Sequence, residues 1–183
     1  MKKIKILFLV IFFFITTAHA QKIKLLINKD YLFYLTKYIN NAKNEIIISS
    51  FMWCCDPRKY SSFPCKLLYK VVDAVKRGVN VLIVLEKDYK GNNSCNEITA
   101  EYFKYLLGSN KKNLKIYYDS PLVRSHQKII LIDGKYCFIG SHNLTQSALK
   151  YNNEVSVFIE SKEIYNKLKK FIINIEKYGK KIY

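Results

Sequence analysis

Short β-branched runs alternate along this chain with longer stretches whose apolar positions recur at every third or fourth residue. Residues 45–51 (EIIISSF), 79–85 (VNVLIVL) and 114–118 (LKIYY) are too short for typical helices and rich in side chains that suit a buried, pleated surface, so they predict strands. Residues 64–77 (PCKLLYKVVDAVKR) place Pro at a helix start, space their apolar positions at three and four, and stop at Gly78, where helices commonly end. Residues 30–42 and 96–107 predict two further helices. After Tyr118 the rhythm changes, because 128–133 and 136–140 are strands separated only by Gly134 and Lys135, a hairpin spacing. A strand over 154–160 follows, and then an amphipathic helix over 162–177 with Ile164, Leu168, Phe171, Ile172 and Ile175 on one side. The pattern predicts an α/β fold: one layered α-β-α domain around a mixed, largely parallel sheet, parallel early and antiparallel late. It shows no internal repeat.

Residues 1–20 stand outside this rhythm. Lys2, Lys3 and Lys5 precede an uncharged apolar run from Ile6 to Ile15, and Ala18-His19-Ala20 supplies the small residues of a cleavage site. A run of ten does not span the roughly 30 Å hydrocarbon core as a helix. The segment therefore predicts a secretory signal at 1–20 and a mature domain at 21–183, secreted or periplasmic; the rival is an uncleaved anchor extended through Thr16 to Ala20. Composition sharpens the picture in two ways. Of 183 residues, half are hydrophobic and 15% aromatic, with only 6 Gly and 3 Pro, which excludes a disordered chain. The formal charge of +17, still +14 without the three signal lysines, predicts attraction to polyanions, either nucleic acid or anionic lipid. Part of that basicity also fits simple compositional drift in a Lys-, Ile-, Asn- and Tyr-rich chain.

Export makes the five cysteines informative, since disulfides persist outside the cytosol. Cys54, Cys55, Cys65 and Cys95 fall in expected loops or helix starts and predict one or two bridges of open connectivity, while Cys137 falls in an apolar strand and predicts a buried free thiol. Zinc is the competing reading, although no histidine lies near and the adjacent Cys54-Cys55 pair departs from the usual two-residue spacing.

One segment carries chemistry. His126, Lys128 and Asp133, followed by Gly140-Ser141-His142-Asn143 and then Glu154, form the pattern HxK(x4)D(x6)GSxN with a Glu eleven residues past the Asn. Strand alternation puts His126 and Lys128 on one face: a nucleophile or base beside a fixed positive charge, as attack on a phosphodiester requires. Ser141 and Asn143 share a face and offer a hydroxyl and an amide to the same phosphate. Asp133, at odd separation from Lys128, points away from substrate and is expected to fix the turn at Gly134 or to pair with a basic side chain. His142 is expected to be structural.

This pattern resembles the phospholipase D superfamily, in particular its small members with a single HxK(x4)D motif, among them bacterial endonucleases and mitochondrial cardiolipin hydrolases. The resemblance rests on residues 124–154. It implies a phosphodiester hydrolase that forms a phosphohistidine, with His126, Lys128 and Glu154 catalytic, Lys128, Ser141 and Asn143 holding the phosphate, and Asp133 and Gly140 structural. Glu154 would orient the His126 imidazole, as a carboxylate does in a Ser-His-Asp triad. No metal or other cofactor is implied. Two histidines are needed and one motif is present, so the resemblance implies a homodimer with a shared active site. Nucleic acid is the expected substrate, and phospholipid headgroups (phosphatidylcholine or cardiolipin), with peripheral membrane contact, are the alternative. A third reading is a non-catalytic exported polyanion-binding protein. Trp53, Arg58, Lys59, Tyr60 and Phe63, and the segment from Tyr117 to Arg124, are the candidate substrate contacts.

Overall fold

In chain order the fold runs β1 (Lys22–Ile27), α1 (Lys29–Asn41), β2 (Glu45–Ser50), α2 (Phe63–Lys76), β3 (Asn80–Leu85), α3 (Ser94–Leu107), β4 (Leu114–Tyr118), β5 (Lys128–Ile132), β6 (Tyr136–Gly140), α4 (Gln146–Lys150), β7 (Val155–Glu160), α5 (Lys162–Tyr178) and β8 (Lys180–Lys181). This computed structural model describes residues 22–87, 94–109, 112–120 and 123–182. The expected signal at 1–20 lies outside the described residues.

The strands form one sheet in the order β1-β7-β6-β5-β2-β3-β4-β8. Only β2 with β3 and β3 with β4 pair in parallel; the other five neighbour pairs are antiparallel. The expectation of a largely parallel sheet is therefore wrong. Helical crossovers α2 and α3 do produce the parallel trio. However, β5 enters antiparallel beside β2 and continues as a meander through β6 and β7, and β1 crosses to the far edge to pair antiparallel with β7.

Helices cover both faces unequally. On one side, α1 to α4 pack Leu35, Ile39, Leu68, Val71, Phe103 and Leu149 over Ile46, Ile48, Ile83, Ile130, Phe138 and Phe158. On the other, α5 alone lays Tyr165, Leu168, Ile172 and Ile175 on Ile47, Val84, Ile129 and Leu131. Because one helix cannot span eight strands, the α5 face of β1 and β7 stays open. Cross-strand pairs Ile23–Ile159, Leu25–Val157 and Ile27–Val155 line it, and Ile23, Leu25, Ile27 and Val155 are exposed.

Two disulfides, Cys54–Cys95 and Cys55–Cys65, tie the loop after β2 to the starts of α3 and α2. Cys137 is free and buried, as expected, and burial pushes its thiol up to about 12. Pairing leaves none of the other four as a zinc thiolate.

Candidate active site

The topology gathers the motif at one end of the sheet. Ser50, at the carboxyl end of β2, pairs with Lys128 at the amino end of β5; Gly140, at the carboxyl end of β6, pairs with Ser156 near the amino end of β7. The carboxyl ends of the parallel strands β3 and β4 finish at the same edge, where open α/β sheets place their ligands.

His126 lies in the loop just before β5 and is exposed; Lys128 opens the strand and is half-buried. The Lys128 ammonium lies 3.3 Å and 3.4 Å from the two imidazole nitrogens and donates to the His126 carbonyl at 3.0 Å. Beneath both sits Phe51, its ring 4.3 Å from the imidazole and 5.0 Å from the ammonium, with the Arg124 guanidinium 6.0 Å away. Desolvation, then the charges of Lys128 and Arg124, hold the His126 imidazole below the usual histidine range, which favours the neutral ring, and the Lys128 ammonium is the donor beside its lone pair. Burial likewise lowers the Lys128 ammonium, and the Glu154 carboxylate opposes that shift. This coupling links the two halves of the site.

The second half is densely bonded. Glu154, buried at the start of β7, accepts a short hydrogen bond from Ser141 Oγ and another from Asn152 Nδ2 at 3.0 Å, and its backbone N–H donates to Asn28 Oδ1 at 2.8 Å. Its carboxylate thus fixes Ser141; within the chain it makes no hydrogen bond to His126. Ser141 Oγ also accepts from Val155 N–H at 3.1 Å. Asn143 Oδ1 is buried without a hydrogen-bond partner. His142 is fully buried, stacked on Tyr31 at 4.2 Å, with Nε2 donating to the Asn28 carbonyl at 3.1 Å and Nδ1 facing Ser156 Oγ at 2.7 Å. That carbonyl can only accept, so Nε2 carries the proton and Nδ1 accepts from the serine. Burial keeps this ring below the usual histidine range. Gly140 allows the close crossing: a Cβ there would fall 2.2 Å from Ser156 Oγ.

Asp133 sits at the other end of β5. Its carboxylate accepts from the backbone N–H groups of Lys43 (2.9 Å), Asn44 (2.8 Å) and Glu45 (3.1 Å), pinning the β5–β6 turn to the start of β2. Distance along the strand, more than the face it occupies, separates it from the site. It takes φ 50° and Gly134 φ 77°, the left-handed turn that its position demands.

Of the expected substrate contacts, Trp53 is core: it is fully buried, edge-on to Phe103, and donates to the Pro64 carbonyl. Arg58 is chelated by Asp56, and Tyr60 is exposed. Phe51, Asn28, Asn152, Ser156 and a buried Glu86–Asp119 pair were not foreseen. Phe51, Glu86 and Asp119 each immediately follow a parallel strand, and that position was the available signal.

An imidazole and an ammonium at the start of β5, beside the end of β6 that leads into Ser141 and Asn143, form the donor set of a phosphodiester-processing class. Residues 35–175 match the family described as "Cardiolipin synthase, PLD-like domain", and the chain belongs to this phospholipase D-like family of phosphodiesterases. The fold is similar to that of a phospholipase D family member, Nuc from Salmonella typhimurium (TM-score 0.71, 19% identity, covering 88% of this chain and 98% of that one). It is also similar to NucT from Helicobacter pylori (TM-score 0.69, 21% identity, 88% and 99% covered). In sequence, the DISARM protein DrmC of Bacillus paralicheniformis is 24% identical over 134 residues, 71% of this chain; the chain spans half of that protein's length.

Proposed function

We propose that this protein is an exported phosphodiester hydrolase that cleaves nucleic acid without a metal, through a phosphohistidine on His126, as a homodimer in which both copies supply that residue. The observation that carries this reading is the contrast at the site: an exposed, neutral imidazole beside a lysine, facing a rigid set of hydrogen-bonding groups. In the first step a His126 nitrogen attacks phosphorus, the P–N bond forms and the P–O bond to the leaving alcohol breaks. A protonated imidazole gives its proton to that alcohol, then takes one from the water that splits the P–N bond. Lys128 and the Asn143 amide hold the phosphate oxygens, while Glu154 takes the one Ser141 hydroxyl proton, so that Ser141 braces the site from behind, and supports the charge of Lys128.

The acid must be a second histidine, and His142 does not qualify because both its ring nitrogens are engaged in the core. The partner subunit's His126 supplies it, protonated once the anionic phosphodiester lies beside it and favours the charged ring. The open apolar strip of Ile23, Leu25, Ile27 and Val155 supports this, since its Ile27–Val155 end borders Glu154 and a second copy would both cover the strip and reach the site. Metal independence draws on the donor set: among the described residues no three His, Cys, Asp or Glu side chains gather as ligands. Export draws on the amino-terminal pattern and accords with two disulfides. The nucleic-acid reading draws on the charge of +14 left without the three signal lysines and on the names of Nuc and NucT. Phospholipid is the second reading, favoured by a groove beside the His126 loop whose walls include Val123, Phe171, Ile175 and Tyr178. Among the described residues no helix is long and apolar enough to cross a membrane.

The test offers mature protein in EDTA single-stranded DNA, duplex DNA, RNA, phosphatidylcholine and cardiolipin. Cleavage of nucleic acid that disappears in His126→Asn is expected. Cleavage of lipid alone moves the assignment to the second reading, and activity that vanishes with EDTA and returns with Mg²⁺ or Zn²⁺ overturns the mechanism.

A further inference from the structure

We propose that Glu86 and Asp119 share one proton and, as a carboxyl–carboxylate pair, clamp the Ser125 amide and so position His126. The two side chains are 4% and 1% exposed and follow the adjacent parallel strands β3 and β4 directly. Both accept from the one Ser125 N–H, which brings their carboxyl oxygens side by side, and two carboxyl groups so placed need a proton between them. Ser125 N–H, one residue before His126, donates to both, at 2.6 Å to Glu86 Oε2 and 3.1 Å to Asp119 Oδ2. The pair is built in from every side. Lys87 N–H donates to Asp119 Oδ1 at 2.8 Å, Arg124 Nε lies 3.4 Å from Glu86 Oε1, and Asn96 holds the Glu86 carbonyl at 2.8 Å.

Charges on the surrounding elements leave the shared proton as the pair's own balance. The Lys87 ammonium is taken by Glu97 of α3 and lies over the Tyr118 ring of β4, and Glu101 acts on Tyr118. From the loop come Arg124, which is largely exposed, and His126 with Lys128 beyond it. One partly solvated guanidinium offsets one negative charge, and a second charge in that burial is unbalanced.

Desolvation first, and then the bond to Asp119, raise the Glu86 carboxyl to about 7. The sign follows: the pair is singly charged and closed below about pH 7, and doubly charged and self-repelling above it, which loosens Ser125 and with it His126. Glu86 and Asp119 are thus positioning residues for a reaction they do not touch. The inference rests on the assignment of His126 as nucleophile.

The experiment reads the clamp without turnover. In the His126→Asn protein, whose own ring no longer titrates, carboxyl ¹³C and Ser125 amide ¹⁵N shifts are followed from pH 5 to 9. A joint titration near 7 that Glu86→Gln abolishes is expected, because the amide keeps the bond to Asp119 but cannot ionise. Two ionised carboxylates at pH 6, or a Ser125 amide indifferent to Glu86, overturn the proposal. Turnover is the second arm, on the otherwise wild-type chain. Glu86→Gln should keep kcat at pH 6 within about threefold and hold it above pH 8, whereas Glu86→Leu should lose about 10- to 100-fold in kcat at unchanged KM. Full kcat in Glu86→Leu also overturns it. If the phosphodiesterase reading fails, only the kinetic arm fails with it; the ¹³C and ¹⁵N titration stands.

Discussion

The two histidines of the described chain stand at one end of the same sheet in opposite conditions. His142 is buried, stacked on Tyr31, and has both nitrogens satisfied by Asn28 and Ser156. His126 is exposed, tilted on Phe51, and has only a cation near its ring nitrogens. Both are held below the usual histidine range, but with different consequences: in His142 the lone pair is spent on Ser156 inside the fold, and in His126 it meets only the Lys128 ammonium on an exposed ring. A residue type does not name a role here; the number of its nitrogens left for chemistry does. The same division separates the site's two halves, with the Ser141–Glu154–Asn152 network rigid and the His126 loop held through its backbone.

The largest expected effect falls on the reactive ring. His126→Asn should cut kcat by at least about 1,000-fold, worth about 4 kcal/mol in the barrier, while urea unfolding moves by less than about 0.5 kcal/mol because the side chain is exposed. Comparable activity in this variant would erase the contrast. His142→Ala should do the reverse. It removes a stacked ring, leaves the Ser156 hydroxyl without its partner and leaves the Asn28 carbonyl with the Tyr31 N–H alone, at a cost of about 3 kcal/mol of stability, with turnover per folded molecule lowered by no more than about tenfold.

Acid titration sharpens the comparison further. Burial lowers His142, so the unfolded chain binds a proton there that the fold does not, and this residue's contribution should fall as pH drops below about 6.5, by up to about 1.4 kcal/mol per pH unit; the exposed, screened His126 adds little. Glu86 acts in the opposite sense: raised to about 7, its contribution is present at acid pH and lost as pH rises through that value. The two slopes oppose each other below about pH 6.5, so the change of urea midpoint with pH there should be more negative than wild type in His142→Gln and more positive in Glu86→Gln. The smallest effect is kinetic. Wild type refolded with an equal amount of His126→Asn should lose about half its specific activity per wild-type subunit, because random pairing puts about half of all dimers in the mixed state. Full retention per subunit would rule out the shared site.

Much of this was legible along the chain. The alternation of 45–51, 64–77, 79–85, 96–107 and 114–118 placed β2, α2, β3, α3 and β4 to within a residue or two, because each is buried on a regular period. β1 escaped because Lys22 and Lys24 break its apolar positions and it lies beside the apolar amino-terminal run. The antiparallel majority escaped for a different reason: strand periodicity says which face is buried but not which strand is the neighbour, and the choice of β2 by β5 and of β7 by β1 is made in three dimensions. In the site, spacing identified His126, Lys128, Ser141 and Asn143 as neighbours. It could not show that Asp133 lies at the far end of β5 or that Glu154 bonds Ser141, since those depend on which loop closes over which strand end.

The central claim is that His126, and not its buried counterpart or Ser141, attacks phosphorus. Rapid acid-free quenching during turnover of a labelled phosphodiester, followed by peptide mass spectrometry, tests it directly. The account predicts an acid-labile, base-stable phosphoryl group on His126. A phosphoryl group on Ser141 or His142, or none under conditions of active turnover, would contradict it.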